Sequence, residues 1–249
     1  MMKNLIYGMI LLMAMVGCRH QTMLQERPVG QAVASSGNAS GNTSILRSLQ
    51  QGDLLFVVNP QGNAITEVTE GYDGMQIDHV GVLLNDSNGE AYVVEAVPQK
   101  GVVKTHISDF LSQNAPMQGD CHILVGRLSV DWDIPATKKN LLCCIGVPYD
   151  SLYLPDNQAV YCSELVQQSF VDRHGQRLFE TIPMQFRNKE GDIPQTFVRR
   201  YQSLNIAVPE GQPGTNPGQL SRSRLLKMIG MIKNVNKKNL SQDSCYSMK

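Results

Sequence analysis

Neither sign of charge is in excess. Lys+Arg and Asp+Glu both number 22 and the formal net charge is zero, so the basic footprint of a nucleic-acid binder is missing and no such partner is expected. Metal-ligand spacing is missing too: no CxxC or HxxxH occurs, and zinc sites draw on such pairs. Neither a metal nor another cofactor is expected. The apolar run from Leu5 to Val16 is about a dozen residues, short of the ~20 that a spanning helix needs. Internal repeats are absent, and 249 residues suit one large core.

What is present begins with a leader. Lys3, the apolar run and small Gly17 before Cys18 form a signal peptide over residues 1–17. Its last residues, Met15-Val16-Gly17-Cys18, resemble a bacterial lipobox, with Met15 where Leu is usual. That resemblance implies a lipid on Cys18 and a protein anchored in the cell envelope, facing the periplasm or the surface; an ordinary secretory signal cut elsewhere is the alternative. Residues 18–44 are polar and rich in Gly, Ser and Asn, as a flexible tether is. With Cys18 set aside, Cys121, Cys143, Cys144, Cys162 and Cys245 are an odd set, so at least one thiol stays free. Cys143 and Cys144, inside NLLCCIGV, are expected as small buried hydrophobes.

Beyond the tether, ILRSLQQGDLLFVV reads as a short helix, a Gly-Asp turn and a strand over 54–58. HVGVLL (79–84) and AYVVEAV (91–97) read as a hairpin across NDSNGE. GVVKTH (101–106) and CHILVGRL (121–128) add strands, with the short helix ISDFLSQ between them. Helical periodicity follows in IPATKKNLLCCIG (134–146). In CSELVQQSFVDRHG (162–175), Cys162, Leu165, Val166, Ser169 and Phe170 share one face and Gly175 suits a C-terminal stop. PQTFVRRYQSL (194–204) supplies another helix. Residues 208–222, dense in Pro and Gly, are expected to hold no regular structure. The last stretch, SRLLKMIGMIKNVNKKNL, reads as an amphipathic basic helix that Gly230 weakens. Strands surrounded by helices predict an α+β domain with one antiparallel sheet over 45–205, then a Pro/Gly-rich arm and basic segment over 206–249.

Nucleophilic cysteine chemistry needs a thiolate, a base and a group that orients the base. Cys162 falls in the first turn of the 162–175 helix, where unpaired amides and the dipole favour negative charge. A buried small filler fits that position equally, so the partners decide. His79 opens one strand and Glu95 interrupts the apolar AYVVEAV, where an unpaired carboxylate would be costly. A hairpin loop over 85–89 sets 83 opposite 91 and 79 opposite 95, side by side on one face. A tight turn at Asn88-Gly89 instead sets Val82 opposite Glu95 and parts the two groups. Among the other histidines, His20 lies in the tether, His174 suits a helix C-terminus and His106 a cap, which leaves His122 as the rival base.

The segments GDLLF (52–56), DHVGV (78–82), VVEAVPQKGVV (93–103), GVPYD (146–150) and YCSELV (161–166), in this order, resemble the circularly permuted NlpC-type papain-like proteins of the YiiX- and YaeF-like group. The resemblance implies a permuted papain-like α+β fold, an antiparallel sheet against helices with the nucleophile at a helix N-terminus. It implies Cys162 as nucleophile, His79 as general base and acid, and Glu95 as the residue orienting His79. The Cys162 amide, with Tyr161 or Tyr149, becomes the oxyanion donor set, and Asp150 shapes the preceding turn. The implied activity is a thiol hydrolase of the cell envelope, acting as amidase, peptidase or acyl-ester hydrolase on a cell-wall peptide or a lipid. The alternative is a membrane-tethered module that binds such a ligand without turnover.

Overall fold

The computed structural model describes residues 45–114, 122–155 and 157–233. The leader, Cys18, the tether, Cys121, Cys245 and the end of the basic segment lie outside the described residues. A helical turn at 45–48 leads into β1 (Leu54–Val58), α1 (Ala64–Val68), β2 (Ile77–Asn85), β3 (Ala91–Val97) and β4 (Gly101–His106). Then come α2 (Ile107–Gln113), β5 (His122–Leu128), α3 (Ile134–Cys143) and α4 (Cys162–Ser169). The described residues end with β6 (Ile182–Pro183), α5 (Gln195–Ser203), β7 (Pro213–Gly214), α6 (Pro217–Ser221) and β8 (Leu226–Ile232). No helix among the described residues is long and apolar enough to cross a membrane.

Six strands make one antiparallel sheet in the order β4-β3-β2-β1-β5-β8, and β6 and β7 form a separate ribbon. Alternation of the strands splits the core in two. Leu54, Phe56, Val82 and Val94 face α4, where Leu165, Val166 and Phe170 bury against them. Leu55, Leu83, Val93 and Val125 face the other way, onto Phe110 and Leu111 of α2 and Leu49. Full burial of each such side chain contributes ~1.5–3 kcal/mol.

Several expectations are corrected. The helix from Cys162 stops at Ser169, not near Gly175, because Phe170 turns extended (φ −78, ψ 120) and packs against Trp132 and Phe179 at ring separations of 5.2 and 5.8 Å. His174 and Gly175 belong to a turn closed by Asp172, whose Oδ1 accepts from the N–H of His174 and Gln176 at 2.8 and 2.9 Å. The Pro/Gly-rich arm does hold regular structure: Pro217 sits in the first turn of α6 and Asn216 Oδ1 caps it, accepting from Gln219 N–H at 2.7 Å. The basic segment is a strand through Ile232, because β5 offers an unpaired edge that a helix would leave open; Leu124 pairs with Met231 and Leu128 with Leu226. Cys143 is exposed and Cys144 half-buried, since α3 buries the face of Thr137 and Leu141.

Candidate active site

The start of α4 is fixed by the chain before it. Asp150 N–H donates to Val160 O at 3.1 Å and Val160 N–H to Pro148 O at 3.0 Å, tying 148–150 alongside residue 160. Buried Asp150 accepts from the N–H of Leu152 and Leu154, each at 2.8 Å, so this side chain shapes the turn. Tyr161 remains extended (φ −102, ψ 171), and helical backbone begins at Cys162. The Cys162 side chain lies in the same buried cluster as Val80, Val82 and Val94 and is only 4% exposed. It points at the sheet, as the helical periodicity requires.

His79 stands at a break in the β1–β2 ladder: Val57 pairs with His79, but Val58 pairs with Ile77. A bulge of this kind re-aims the side chain beside it. His79 Nε2 lies 2.7 Å from Glu95 Oε2, its ring centroid lies 6.2 Å from that of Phe110, and the Cys162 thiol is near enough to the same imidazole to act on its charge. The structure thus brings Cys162, His79 and Glu95 together. Burial opposes charge on His79, but hydrogen bonds and charge interactions with Cys162 and Glu95 outweigh it and raise the imidazole pKa to about 10.

Neither hairpin register read from the sequence is the one found. Val82 faces Val94, Leu83 faces Val93 and Asn85 faces Ala91. The loop spans 86–90 because Asp86 Oδ1 accepts from the N–H of Asn88 and Glu90 at 2.8 and 3.0 Å. Carried along the ladder, this register faces Glu95 with Gly81, and His79 becomes a diagonal neighbour instead of a direct one. The shift of two residues keeps the face, so the pair still meets. Gly81 keeps that space open: a Cβ there would lie 2.3 Å from Val93 Cγ1 and 3.4 Å from Glu95 Cβ.

Sequence reasoning missed Thr105, whose Oγ1 donates to Glu95 Oε1 at 2.6 Å. Its one signal was a small polar side chain in a strand paired with β3, where Val93 faces Thr105 and Glu95 faces Val103. Glu95, 3% exposed, is thereby held through both oxygens. His106 caps α2, Nδ1 accepting from Ser108 N–H at 3.3 Å, and the rival base His122 faces Val58 in the β1–β5 ladder.

A cleft opens beside Cys162, with Tyr149, Tyr153 and Tyr161 in its wall. Tyr161 Oη accepts from Thr215 N–H at 2.9 Å. Burial, then the neighbouring Cys162 and Tyr153, push Tyr149 well above the usual phenol range, so it stays a neutral hydroxyl donor. Among the described residues no group of three or more His, Cys, Asp or Glu side chains could hold a metal ion.

Comparison with known proteins supplies an independent finding. Residues 48–230 match the family model described as permuted papain-like amidase enzyme, YaeF/YiiX, C92 family. A crystal structure described as that of metalloprotein yiiX from Escherichia coli O157:H7 is similar in fold: TM-score 0.56, 19% sequence identity, covering 73% of this chain and 96% of that one. No curated protein matches the chain.

Proposed function

This chain belongs to the permuted papain-like amidases of the YaeF/YiiX, C92 type, a family of cysteine hydrolases, and we propose that it works through a Cys162-His79-Glu95 triad and an acyl-enzyme. The observation that carries the reading is the His79 imidazole, 2.7 Å from the Glu95 carboxylate and near enough to the Cys162 thiol for each to act on the other's charge. A protonated His79 beside the sulfur is the charge arrangement a thiolate nucleophile requires.

In this mechanism Cys162 Sγ attacks an amide or ester carbonyl, and the Cys162 amide with the Tyr149 hydroxyl receives the developing oxyanion. His79 gives its proton to the leaving nitrogen or oxygen. It then takes one from the water that cleaves the thioester. Glu95 keeps the ring oriented throughout. The leader over 1–17 and Cys18 support a mature protein lipid-anchored in the cell envelope, where cell-wall peptides and acyl lipids are the available substrates.

The test is Cys162→Ala, compared with wild type on cell-envelope extract, with intact-mass detection of covalent adducts at residue 162. Wild type should accumulate an acyl adduct, and the variant should keep its melting temperature and lose all turnover. Cleavage of an identified substrate by the variant at the wild-type rate overturns the triad. For the anchor, labelled palmitate should be incorporated by wild type and not by Cys18→Ser; equal labelling of both rejects it.

A further inference from the structure

We infer that the β8 edge of the sheet, with the turns that flank it, is a docking face for an anionic lipid bilayer. The envelope reading supplies the membrane; neither the triad nor a lipid on Cys18 enters the inference.

The two edges of the sheet differ. On β4, Val102 N–H donates to Val147 O at 2.8 Å and Val102 O accepts from Gly146 N–H at 2.9 Å, so the 146–147 turn covers that edge. β8 ends the strand order, and no strand among the described residues pairs with its outer side. An open edge of seven residues, LKMIGMI, needs charge or a partner to protect it.

The charge gathered there exceeds that need. From Arg222 to Lys238 the sequence carries six cations and no carboxylate, in a chain whose net charge is zero. Arg222, Arg224 and Lys227 are exposed. Lys227 faces Arg127 in the β5–β8 ladder, and Arg127 Nη2 donates to Ser48 O at 2.7 Å, which brings exposed Arg47 to the same edge. Arg127 is engaged by Asp53, but Arg47, Arg222, Arg224 and Lys227 have no ion pair or side-chain hydrogen bond among the described residues. Asp131, just past β5, is matched by Arg173 at 3.4 Å. Guarding an edge against a second strand accounts for Lys227; it does not account for three arginines outside the strand.

Apolar surface lies among these cations. Leu225, Leu226, Met228 and Met231 are half-buried against one layer of the core, and Ile45 and Ile229 against the other. That mixture suits the headgroup region of a bilayer, where Lys and Arg meet lipid phosphates and apolar side chains reach the acyl boundary. At that depth water and phosphate still satisfy the open backbone groups of the edge, as the hydrocarbon would not. A nucleic acid fits less well, because no aromatic side chain stands between Arg222 and Lys238 to stack a base. The segment that follows Cys18 also joins the domain here: a Cβ on Gly230 would lie 2.8 Å from Ile45 Cδ1. On the other side, α6 leads from Asn216 and Pro217 in the cleft wall to Arg222, so docking sets the height of Cys162 above the bilayer.

The experiment uses the mature chain, residues 18–249 with Cys18→Ser, so that no acyl group contributes, and reads co-sedimentation with vesicles. Mixed phosphatidylglycerol and phosphatidylcholine vesicles should bind it at least about a hundredfold more tightly than phosphatidylcholine alone, and added salt should erase the difference. Arg222→Gln with Lys227→Gln should weaken binding to the anionic vesicles by about 25-fold, at about fivefold for each cation. Lys189→Gln with Arg199→Gln makes the same change in net charge on exposed residues outside this edge and should bind as the parent does. Each variant is checked for an unchanged melting temperature. Equal binding to both vesicle types, an equal loss in the control pair, or binding to duplex DNA as tight as to the anionic vesicles overturns the docking face. None of these outcomes touches the triad or the lipid on Cys18, which stand or fall on adduct formation and palmitate labelling.

Discussion

Thr105 Oγ1 and His79 Nε2 approach opposite oxygens of one carboxylate: Thr105 reaches Glu95 Oε1 at 2.6 Å and His79 reaches Oε2 at 2.7 Å. Thr105 thus acts on His79 only through Glu95, as a positioning residue. Thr105→Val should lower kcat/KM by about tenfold, the scale of a lost hydrogen bond to a charged group. The alkaline limb of the pH–rate profile should move to lower pH as Glu95 loosens its hold on His79, and Thr105→Ser should restore both. A rate loss with an unmoved pH profile would make Thr105 merely structural.

The imidazole of His79 gives a second prediction. Burial works against its charge, yet Cys162 and Glu95 together raise its pKa from 6.5 to about 10. A raised pKa means the folded state holds the proton more tightly than the unfolded chain does. The stabilisation is therefore fully present below pH 6.5 and is lost as pH rises toward about 10. Wild type should melt at progressively lower temperature across that window, and Glu95→Gln should flatten the slope. Ring-proton NMR should show the His79 titration moving down in that variant; an unmoved titration would mean that Glu95 does not hold the charge.

The pattern of legibility follows from what each signal depends on. β3, β4 and α2 could be read to their end residues because an apolar run, a turn and a cap bounded each one locally. Cys162 and His79 were legible for the same reason, one at a helix start and the other in a strand. The hairpin register was not, because it turns on the Asp86 side chain capturing two amides, a choice among turns of similar local sequence. Thr105 and β8 were hidden by distance in sequence: one is defined by a carboxylate on the next strand, the other by an open edge of β5. Local propensity carries no trace of such partners.

Arg127 and Asp53 give a prediction about stability. Asp53 is fully buried and takes Arg127 Nε on Oδ1 at 2.7 Å and Nη2 on Oδ2 at 2.8 Å, with Gln50 N–H on Oδ2 at 2.8 Å. This ties the GDLLF turn to β5. Arg127→Met would leave the carboxylate buried with one amide for company, so urea denaturation should show a loss of about 3 kcal/mol. Asp53→Asn combined with Arg127→Met should lose less than Arg127→Met alone, because no unpaired charge remains. A single variant as stable as wild type would show that water reaches Asp53 freely.

Glu164 stands two residues beyond Cys162 and works against the fold at neutral pH. Burial raises its carboxyl pKa from 4.5 to about 7, over the opposing hydrogen bonds from Tyr161 N–H at 3.4 Å and Gln168 Nε2 at 2.8 Å. Here the folded state binds the extra proton, so stability falls as pH rises from 4.5 to about 7 and the deficit persists above that. Glu164→Gln keeps an acceptor for the Tyr161 amide and removes the ionisation. At pH 8 it should therefore melt a few degrees higher than wild type, by about 2–4 °C for a chain of this size, while near pH 4 the two should coincide. Since α4 carries the nucleophile, the same variant also reports whether charge at its first turn matters to reactivity. If iodoacetamide labels Cys162 at the same rate in both proteins at pH 8, the carboxylate is a cost borne by the helix alone. A higher melting temperature for the variant at pH 4 would refute the assigned titration.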